Sequence, residues 1–181
     1  MNGVEFNKDK FTELILYIAE NADDEDFGAI KMQKALWKAD FVAFARLGHS
    51  ITGAEYIKLE NGPAARRFPP VLQEMKEAQV AAEAYRVVNG YDSWRVVALR
   101  PADPEKFSKQ ELTIIQSAIA WVRSKTATTL SRESHGWAWE AVEMKEVIPY
   151  GSELFPDRPL PLSEKAIEYG RRVAERLAAP R

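Results

Sequence analysis

The sequence predicts an α+β domain that is predominantly α-helical, with a helical core around one central apolar helix and a small antiparallel β-sheet or hairpin beside it. Three observations favour this class. The stretch Ala29–Leu47 is apolar around most of a helical circumference, other stretches have apolar residues at helical spacing, and a valine-rich region contains an Asn-Gly turn. We expect residues 1–181 to form one domain, because two domains from this chain would each have a small core.

The N-terminal half contains signals for two helices and a short strand. Asn7 can cap a first helix over residues 8–22. The central helix is predicted to end at Gly48, since glycine readily adopts the positive φ that a helix terminus requires. Alternation over residues 54–60 predicts a strand, and Asn61-Gly62-Pro63 predicts a turn after it.

The C-terminal half contains signals for shorter elements. Two prolines fit the first turn of a helix over 69–77. Ser108 and Glu111 match a capping box, in which each side chain accepts a hydrogen bond from the other residue's backbone N–H. The other predicted elements are a β-hairpin with strands over 82–88 and 93–100, helices over 108–125, 126–135 and 139–147, a proline-rich loop over 149–161, and a C-terminal helix over 163–178.

The composition excludes some classes of function and weakens others. The chain has no cysteine, which excludes disulfides and thiolate zinc sites, and its two histidines lack carboxylates at metal-binding spacing. A net charge of −2 gives no basic excess for nucleic-acid binding. The first eight residues have no apolar signal core, and no apolar run is long enough to cross a bilayer. We therefore expect a cytoplasmic protein with no metal, cofactor or membrane partner.

Several short motifs follow one another in a fixed order. A Lys-containing apolar helical segment that closes with Ala-Asp is followed by a Gly-x-x-Ile-Thr-Gly turn, an aromatic residue and Gly-Pro. Further on come a helix start with Ser and Glu, a Leu-Ser-x-x-Ser-His segment, a tryptophan and Pro-Tyr. These segments are Met32-Gln33-Lys34-Ala35-Leu36-Trp37-Lys38-Ala39-Asp40, Gly48-His49-Ser50-Ile51-Thr52-Gly53-Ala54-Glu55-Tyr56, Gly62-Pro63, Phe107-Ser108-Lys109-Gln110-Glu111, Leu130-Ser131-Arg132-Glu133-Ser134-His135, Trp139 and Pro149-Tyr150.

This ordered set resembles the Panacea (SocA-like) antitoxin domain family over residues 28–155. The resemblance implies the antitoxin of a type II toxin–antitoxin pair, which neutralises a cognate toxin protein by direct contact. It also implies a phage-associated family that serves very different toxins and has one branch of proteolytic adaptors, which hand their toxin to a Clp-type protease. We expect the motif positions to be structural; they are Lys34, Asp40, Gly48, Thr52, Gly53, Tyr56, Gly62, Pro63 and His135.

Asp40 and His135 each have two interpretations. Asp40 lies on an apolar helix, and it is either an acid in a pocket or a hydrogen-bonded carboxylate that fixes the turn 51–53. We favour the second interpretation, because a buried charge needs partners. His135 is either a general base or the last residue of a helix that ends at Gly136. We favour the helix end, so a hydrolase that uses Asp40 and His135 is the weaker alternative to an antitoxin.

Four residues are candidates for contact with a toxin. Trp137 and Trp139 flank a helix junction, where one of them can be exposed, and tryptophan is enriched in interface hot spots. Core packing of both rings is an equal alternative. Arg66 and Arg67 form a basic pair that suits an acidic patch on a partner protein. A nucleic-acid partner is the weaker interpretation of these arginines, because no recognition-helix motif is present.

Overall fold

The computed structural model describes residues 5–22, 24, 26–88, 90–154 and 168. Within them lie six α-helices, four strands and two 3₁₀ turns, which confirms a predominantly helical α+β fold. The helices are α1 (Lys8–Asn21), α2 (Ala29–Leu47), α3 (Phe68–Glu77), α4 (Lys109–Arg123), α5 (Ala127–Glu133) and α6 (Trp137–Glu140). The strands are β1 (Tyr56–Leu59), β2 (Gly62–Ala65), β3 (Ala81–Val88) and β4 (Tyr91–Ala98), and the 3₁₀ turns are Pro104–Lys106 and Tyr150–Leu154.

Helix α2 forms the centre of the core, as predicted. It packs against α1, α4 and α5, against strands β2 and β4, and against the turn Tyr150–Leu154. Its buried apolar residues include Leu36, Trp37 and Phe41, and the facing side of α4 buries Ile115 and Val122. Each buried aliphatic side chain of this kind contributes about 1.5–3 kcal/mol relative to an exposed one. The apolar circumference of α2 therefore explains both its position and much of the stability of the fold.

The helix ends follow the predicted local rules. The Asn7 side chain accepts a hydrogen bond from the Lys10 N–H at 3.0 Å and so caps α1. Ser108 and Glu111 form the reciprocal capping box of α4, with hydrogen bonds of 2.7 and 3.2 Å. Gly48 ends α2 with a φ of 79°. These signals depend only on neighbouring residues, which is why the sequence shows them clearly.

The β-structure consists of two separate two-stranded antiparallel sheets, β1–β2 and β3–β4. The predicted strand over 54–60 begins at Tyr56, and Gly62-Pro63 opens a second strand rather than serving only as a turn. Strand β2 pairs with β1 and contacts α2, where the Ala65 N–H donates to the Gln33 side-chain oxygen at 2.9 Å. The backbone of β2 is thus satisfied by its hairpin partner β1 and by a side chain of α2, and turn residues alone do not reveal the second contact.

The helix predicted over 139–147 is wrong. Helix α6 ends at Glu140, and residues 145–148 instead run antiparallel along the outer edge of β1. The Lys145 N–H donates to the Lys58 carbonyl at 2.9 Å, the Lys58 N–H donates to the Glu146 carbonyl at 3.0 Å, and the Ile148 N–H donates to the Tyr56 carbonyl at 2.8 Å. These bonds satisfy backbone groups that would otherwise be unpaired on an edge strand, and they outweigh the helical preference of the segment.

The C-terminal predictions are only partly covered by the structure. The predicted loop over 149–161 begins with the 3₁₀ turn Tyr150–Leu154, and its remainder lies outside the described residues. The predicted helix over 163–178 also lies outside them, except for Glu168, which is helical. In the described part of the chain, every helix is too short or too polar to span a membrane.

Candidate functional site

Helix α2 places the Asp40 carboxylate in the core, where it is fully buried. It accepts hydrogen bonds from the Thr52 N–H at 2.8 Å, the Thr52 hydroxyl at 2.5 Å and the Tyr56 hydroxyl at 2.8 Å. These bonds tie the turn 51–53 and the start of β1 to α2, as the favoured interpretation of Asp40 requires.

Two opposing effects set the ionisation of Asp40. Burial raises the pKa of its carboxyl group to about 6, while the hydrogen bonds from Thr52 and Tyr56 lower it. The same burial, together with the neighbouring Asp40, raises the pKa of Tyr56 well above its usual range. At neutral pH Asp40 is therefore mainly ionised and is held by three hydrogen-bond donors, while Tyr56 keeps its proton.

The same helix buries a second charged group, Lys34, one to two turns earlier. The Lys34 amine donates to the Pro63 carbonyl at 3.1 Å. Burial lowers its pKa to about 7. An ammonium has three donors, so a single carbonyl acceptor leaves this amine poorly satisfied.

Three side chains converge beneath Gly62, which has a φ of 94°. A Cβ atom at this position would lie 2.2 Å from Ser134 Oγ, 2.5 Å from Lys34 Nζ and 3.3 Å from His135 Cδ2. Both the backbone conformation and the close approach require glycine here. The β1–β2 turn therefore covers a cluster formed by Lys34, Ser134 and His135.

His135 and Trp139 form one stacked unit beside this cluster. Their rings lie 3.9 Å apart and are inclined by 10°, and Lys58 Nζ lies 4.3 Å from the centre of the Trp139 ring. The Trp139 indole N–H donates to the Leu59 carbonyl at 3.1 Å. Burial and the nearby Lys34 lower the pKa of His135, so its imidazole is neutral at neutral pH, and its buried Nε2 has no hydrogen-bond partner among the described residues.

The four predicted toxin-contact residues occupy two places. Arg66 forms an ion pair with Glu55 at 2.8 Å, and the Arg67 guanidinium lies 5.1 Å from the centre of the Phe6 ring. Arg66 is next to Glu55 at one end of the β1–β2 sheet, whereas Trp139 contacts Leu59 at the other end. Four residues of strand separate the two ends by roughly 13 Å. The arginines and tryptophans therefore do not form one cluster.

The two tryptophans differ in exposure. Trp137 is 38% exposed, whereas Trp139 is half-buried with its indole N–H bonded. Both line a cavity of about 310 Å³, which we call the α6 cavity. Its other lining residues include Trp37, Lys38, Phe41, Ser134 and Ser152. The two alternatives for this pair were core packing and interface contact. Trp139 packs inside the fold, and Trp137 is partly exposed.

Asp40 and His135 have different neighbours. Asp40 bonds to Thr52 and Tyr56, whereas His135 stacks on Trp139, and neither lines the α6 cavity or the second cavity beside the β1–β2 turn. The hydrolase alternative requires a shared pocket, and this arrangement gives it no support. In the described part of the chain, no group of three or more histidine, aspartate or glutamate side chains is placed to hold a metal ion.

Two features were missed by the sequence interpretation. The β3–β4 hairpin exposes Tyr85 by 76% and Val87 by 69%, although both are large apolar residues. Their spacing of two residues places them on one face of β3, but the sequence does not show which face meets solvent. The second feature is a groove of about 470 Å³ next to Lys34, which we call the Lys34 groove. It is lined by residues 29–30 and 33–34 of α2, by 59–64 and by 144–145.

The fold is an α+β domain with a central helix and a turn-covered cluster beside it. A family profile described as "Antitoxin SocA-like, Panacea domain" matches residues 32–140, which is more than half of the chain. The chain belongs to this family. The matched region extends from α2 to α6 and includes Lys34, Asp40, both strands of the β1–β2 sheet and His135. No curated protein and no solved structure matches the chain. Family membership supports an antitoxin role and favours a non-enzymatic one.

Proposed function

We propose that this chain binds a cognate toxin protein and neutralises it by direct contact. The family match over residues 32–140 is the observation that carries the proposal. The separate surroundings of Asp40 and His135 agree with it, because a binding protein needs exposed contact surfaces rather than an assembled catalytic group. We place this activity in the cytoplasm.

We propose the β3–β4 hairpin as the main contact surface, because its apolar side chains Tyr85 and Val87 are the most exposed large ones among the described residues. Tyr85 and Val87 lie two residues apart on β3, and the Tyr85 hydroxyl donates to Glu83 on the same strand, at 3.0 Å. Large apolar side chains exposed side by side are costly in water and mark interaction sites. Covering both on binding would contribute about 1.5–3 kcal/mol for each fully buried side chain.

Trp137 and the arginine pair are further contacts in this proposal. Trp137 is partly exposed at the mouth of the α6 cavity, and a partly exposed indole suits an interface anchor. Arg66 is already paired with Glu55 across an exposed surface, so a toxin carboxylate would compete with that pair. We therefore expect Trp137 to contribute more to toxin binding than Arg66 or Arg67. We expect Trp139 to act indirectly, by holding the β1–β2 turn through its bond to the Leu59 carbonyl.

Co-expression with the adjacent open reading frame tests the proposal. The neighbouring gene alone should stop bacterial growth, and the pair should restore growth and co-purify as a complex. A Tyr85→Ser, Val87→Ser double variant should lose rescue, whereas the control Leu99→Ser, also at an exposed apolar residue but beyond the end of β4, should keep it. A toxic neighbour that neither binds the chain nor is rescued by it contradicts the proposal.

The same experiment separates inhibition from proteolytic delivery. A direct inhibitor leaves the toxin present and bound, so the toxin level on an immunoblot stays constant. An adaptor for a Clp-type protease lowers the toxin level, and growth rescue disappears in a host that lacks the protease. We expect constant toxin and unchanged rescue in that host.

A further inference from the structure

The Lys34 groove has the size and the lining of a small-ligand site. Its volume of about 470 Å³ lies within the range of ligand pockets. Ile30, Leu59 and Met144 supply apolar walls, and Met144 is 48% exposed although it is apolar. Lys34 is the buried charged residue of the groove, while Glu60 and Lys145 lie on it with exposed side chains. The groove therefore combines apolar walls with one buried lysine, whose amine lies beneath Gly62.

Lys34 differs from its neighbour Lys31 in one respect. Both are 1% exposed on α2, but the Lys31 amine forms an ion pair with Asp26 at 2.7 Å. Among the described residues, the Lys34 amine has only the Pro63 carbonyl as hydrogen-bond acceptor and no carboxylate partner. A buried amine without a counter-ion is costly, and an anion that reaches it would be bound strongly.

We propose that the Lys34 groove binds a small apolar carboxylic acid, whose carboxylate pairs with Lys34 and whose hydrocarbon part packs between Ile30, Leu59 and Met144. The carboxylate supplies the counter-ion that Asp26 supplies to Lys31. The hydrocarbon part gains affinity with each CH₂ group that is removed from water. The neutral alcohol or amide of the same length lacks the charge and binds more weakly.

Proton uptake gives this binding a distinct signature. Burial lowers the pKa of Lys34 to about 7, so at pH 8 the free amine is mainly neutral. Pairing with a carboxylate favours the ammonium, so the complex takes up a proton from the buffer. Glu60 and Lys145 are ionisable residues on the groove, and His135, two residues beyond α5, lies beneath Gly62 together with the amine. Lys34 is the one whose ionisation the carboxylate changes most directly.

Calorimetric titration of the purified chain with hexanoate at pH 8 tests the proposal. Titrations in phosphate and in Tris, which differ in ionisation enthalpy, count the protons taken up. We expect saturable binding with proton uptake, and about tenfold weaker binding of hexanamide, which corresponds to about 1.4 kcal/mol. Lys34→Met should weaken hexanoate by about tenfold and abolish proton uptake, whereas the control Lys145→Met should change affinity by less than about threefold.

Several outcomes overturn the proposal. They are unchanged hexanoate binding by a folded Lys34→Met variant, an equal loss in Lys145→Met, equal binding of hexanamide, and no saturable binding of straight-chain acids. Met144→Asp, which places a negative charge at an exposed position on the wall, should also weaken hexanoate and leaves the core intact. A peptide ending in leucine that binds more than about tenfold tighter than hexanoate would assign the site to a protein terminus instead. The toxin plays no part in these titrations, so their failure leaves the antitoxin proposal standing.

Discussion

Asp40 and Lys34 are two buried ionisable residues on one helix, and they differ in the number of hydrogen bonds that they form. Asp40 accepts three hydrogen bonds from Thr52 and Tyr56, whereas Lys34 donates one to the Pro63 carbonyl. Burial moves both pKa values towards neutrality, to about 6 for Asp40 and about 7 for Lys34. Three hydrogen bonds oppose the effect of burial at Asp40 and one does so at Lys34, so the carboxylate is mainly ionised at neutral pH while the amine is close to losing its proton.

This difference indicates two kinds of buried charge. Asp40 connects α2 to a turn and a strand, and its partners would be unsatisfied without it. Lys34 has a single hydrogen bond, to the Pro63 carbonyl, and is a lining residue of the Lys34 groove. Removing the Asp40 carboxylate should therefore destabilise the fold, whereas the buried Lys34 amine itself destabilises it.

The largest expected effect comes from Asp40→Ala. The substitution leaves the Thr52 N–H and the Thr52 and Tyr56 hydroxyls without their acceptor in the core, and each such group costs about 1–3 kcal/mol. We expect a loss of at least about 3 kcal/mol in the free energy of unfolding, measured by urea denaturation. Asp40→Asn keeps one acceptor oxygen and should lose less. Equal stability of Asp40→Ala and the wild type would show that the turn does not depend on this carboxylate.

Substitutions at Gly53, near Asp40, and at Gly62, near Lys34, compare how tightly the two buried charges are surrounded. Gly53, beside Thr52, has a φ of 70°, and an added Cβ would lie 2.1 Å from the Glu5 backbone carbonyl oxygen. At Gly62 the nearest atoms are instead side-chain atoms, Ser134 Oγ and Lys34 Nζ, and not backbone atoms. The control Gly48 has a φ of 79° and open space around the added Cβ.

We therefore expect Gly53→Ala to destabilise most, Gly62→Ala less, and Gly48→Ala by only the backbone strain of about 1 kcal/mol. Thermal unfolding of the three variants measures this order. A larger loss for Gly62→Ala than for Gly53→Ala would mean that the cluster beneath the β1–β2 turn is as rigid as backbone.

The smallest expected effect is on the pH dependence of stability, to which Lys34 and Asp40 contribute with opposite signs. Lys34 has its native pKa at about 7 and its unfolded value at 10.5, so between these the unfolded chain binds more protons and stability rises with pH. Asp40 has its native pKa at about 6 and its unfolded value at 3.8, so between these the native chain binds more protons and stability falls as pH rises.

Lys34→Met should therefore be more stable than the wild type at pH 6, by about 1 kcal/mol or more, and this advantage should shrink between pH 7 and about 10. The stability of the wild type relative to Asp40→Asn should fall between pH 4 and 6. Denaturation curves at a series of pH values measure both differences. A Lys34→Met advantage that does not change between pH 7 and 10 would show that the native amine is not deprotonated there.

The sequence predicted the elements that depend on local signals. Helix α2 is apolar on most sides, and the capping residues Asn7, Gly48, Ser108 and Glu111 mark helix ends through contacts with their own neighbours. The hydrogen bonds of Asp40 to the turn 51–53 could also be anticipated, because a carboxylate on an apolar helix needs donors and a Thr-Gly turn offers them.

The sequence could not predict what depends on distant partners. The segment 145–148 is defined by pairing with β1, and its residues have no strand pattern of their own. The motif marked Lys34 as a structural residue, but it did not predict that its amine is buried without a carboxylate partner. Whether a lysine has such a partner depends on the tertiary arrangement around it. The exposure of Tyr85 and Val87 likewise depends on which face of the hairpin the rest of the fold covers.

The pairing of β1 with residues 145–148 has a consequence for the chain as it is synthesised. Strand β1 leaves the ribosome about 90 residues before its outer neighbour, an interval of roughly 5–20 s at common elongation rates. During that time β2 can already pair with the inner side of β1, but the outer edge has no partner and is open to strands of other nascent chains. Slow translation between these segments would lengthen that exposure, so the yield of native protein should depend on codon choice over residues 66–144.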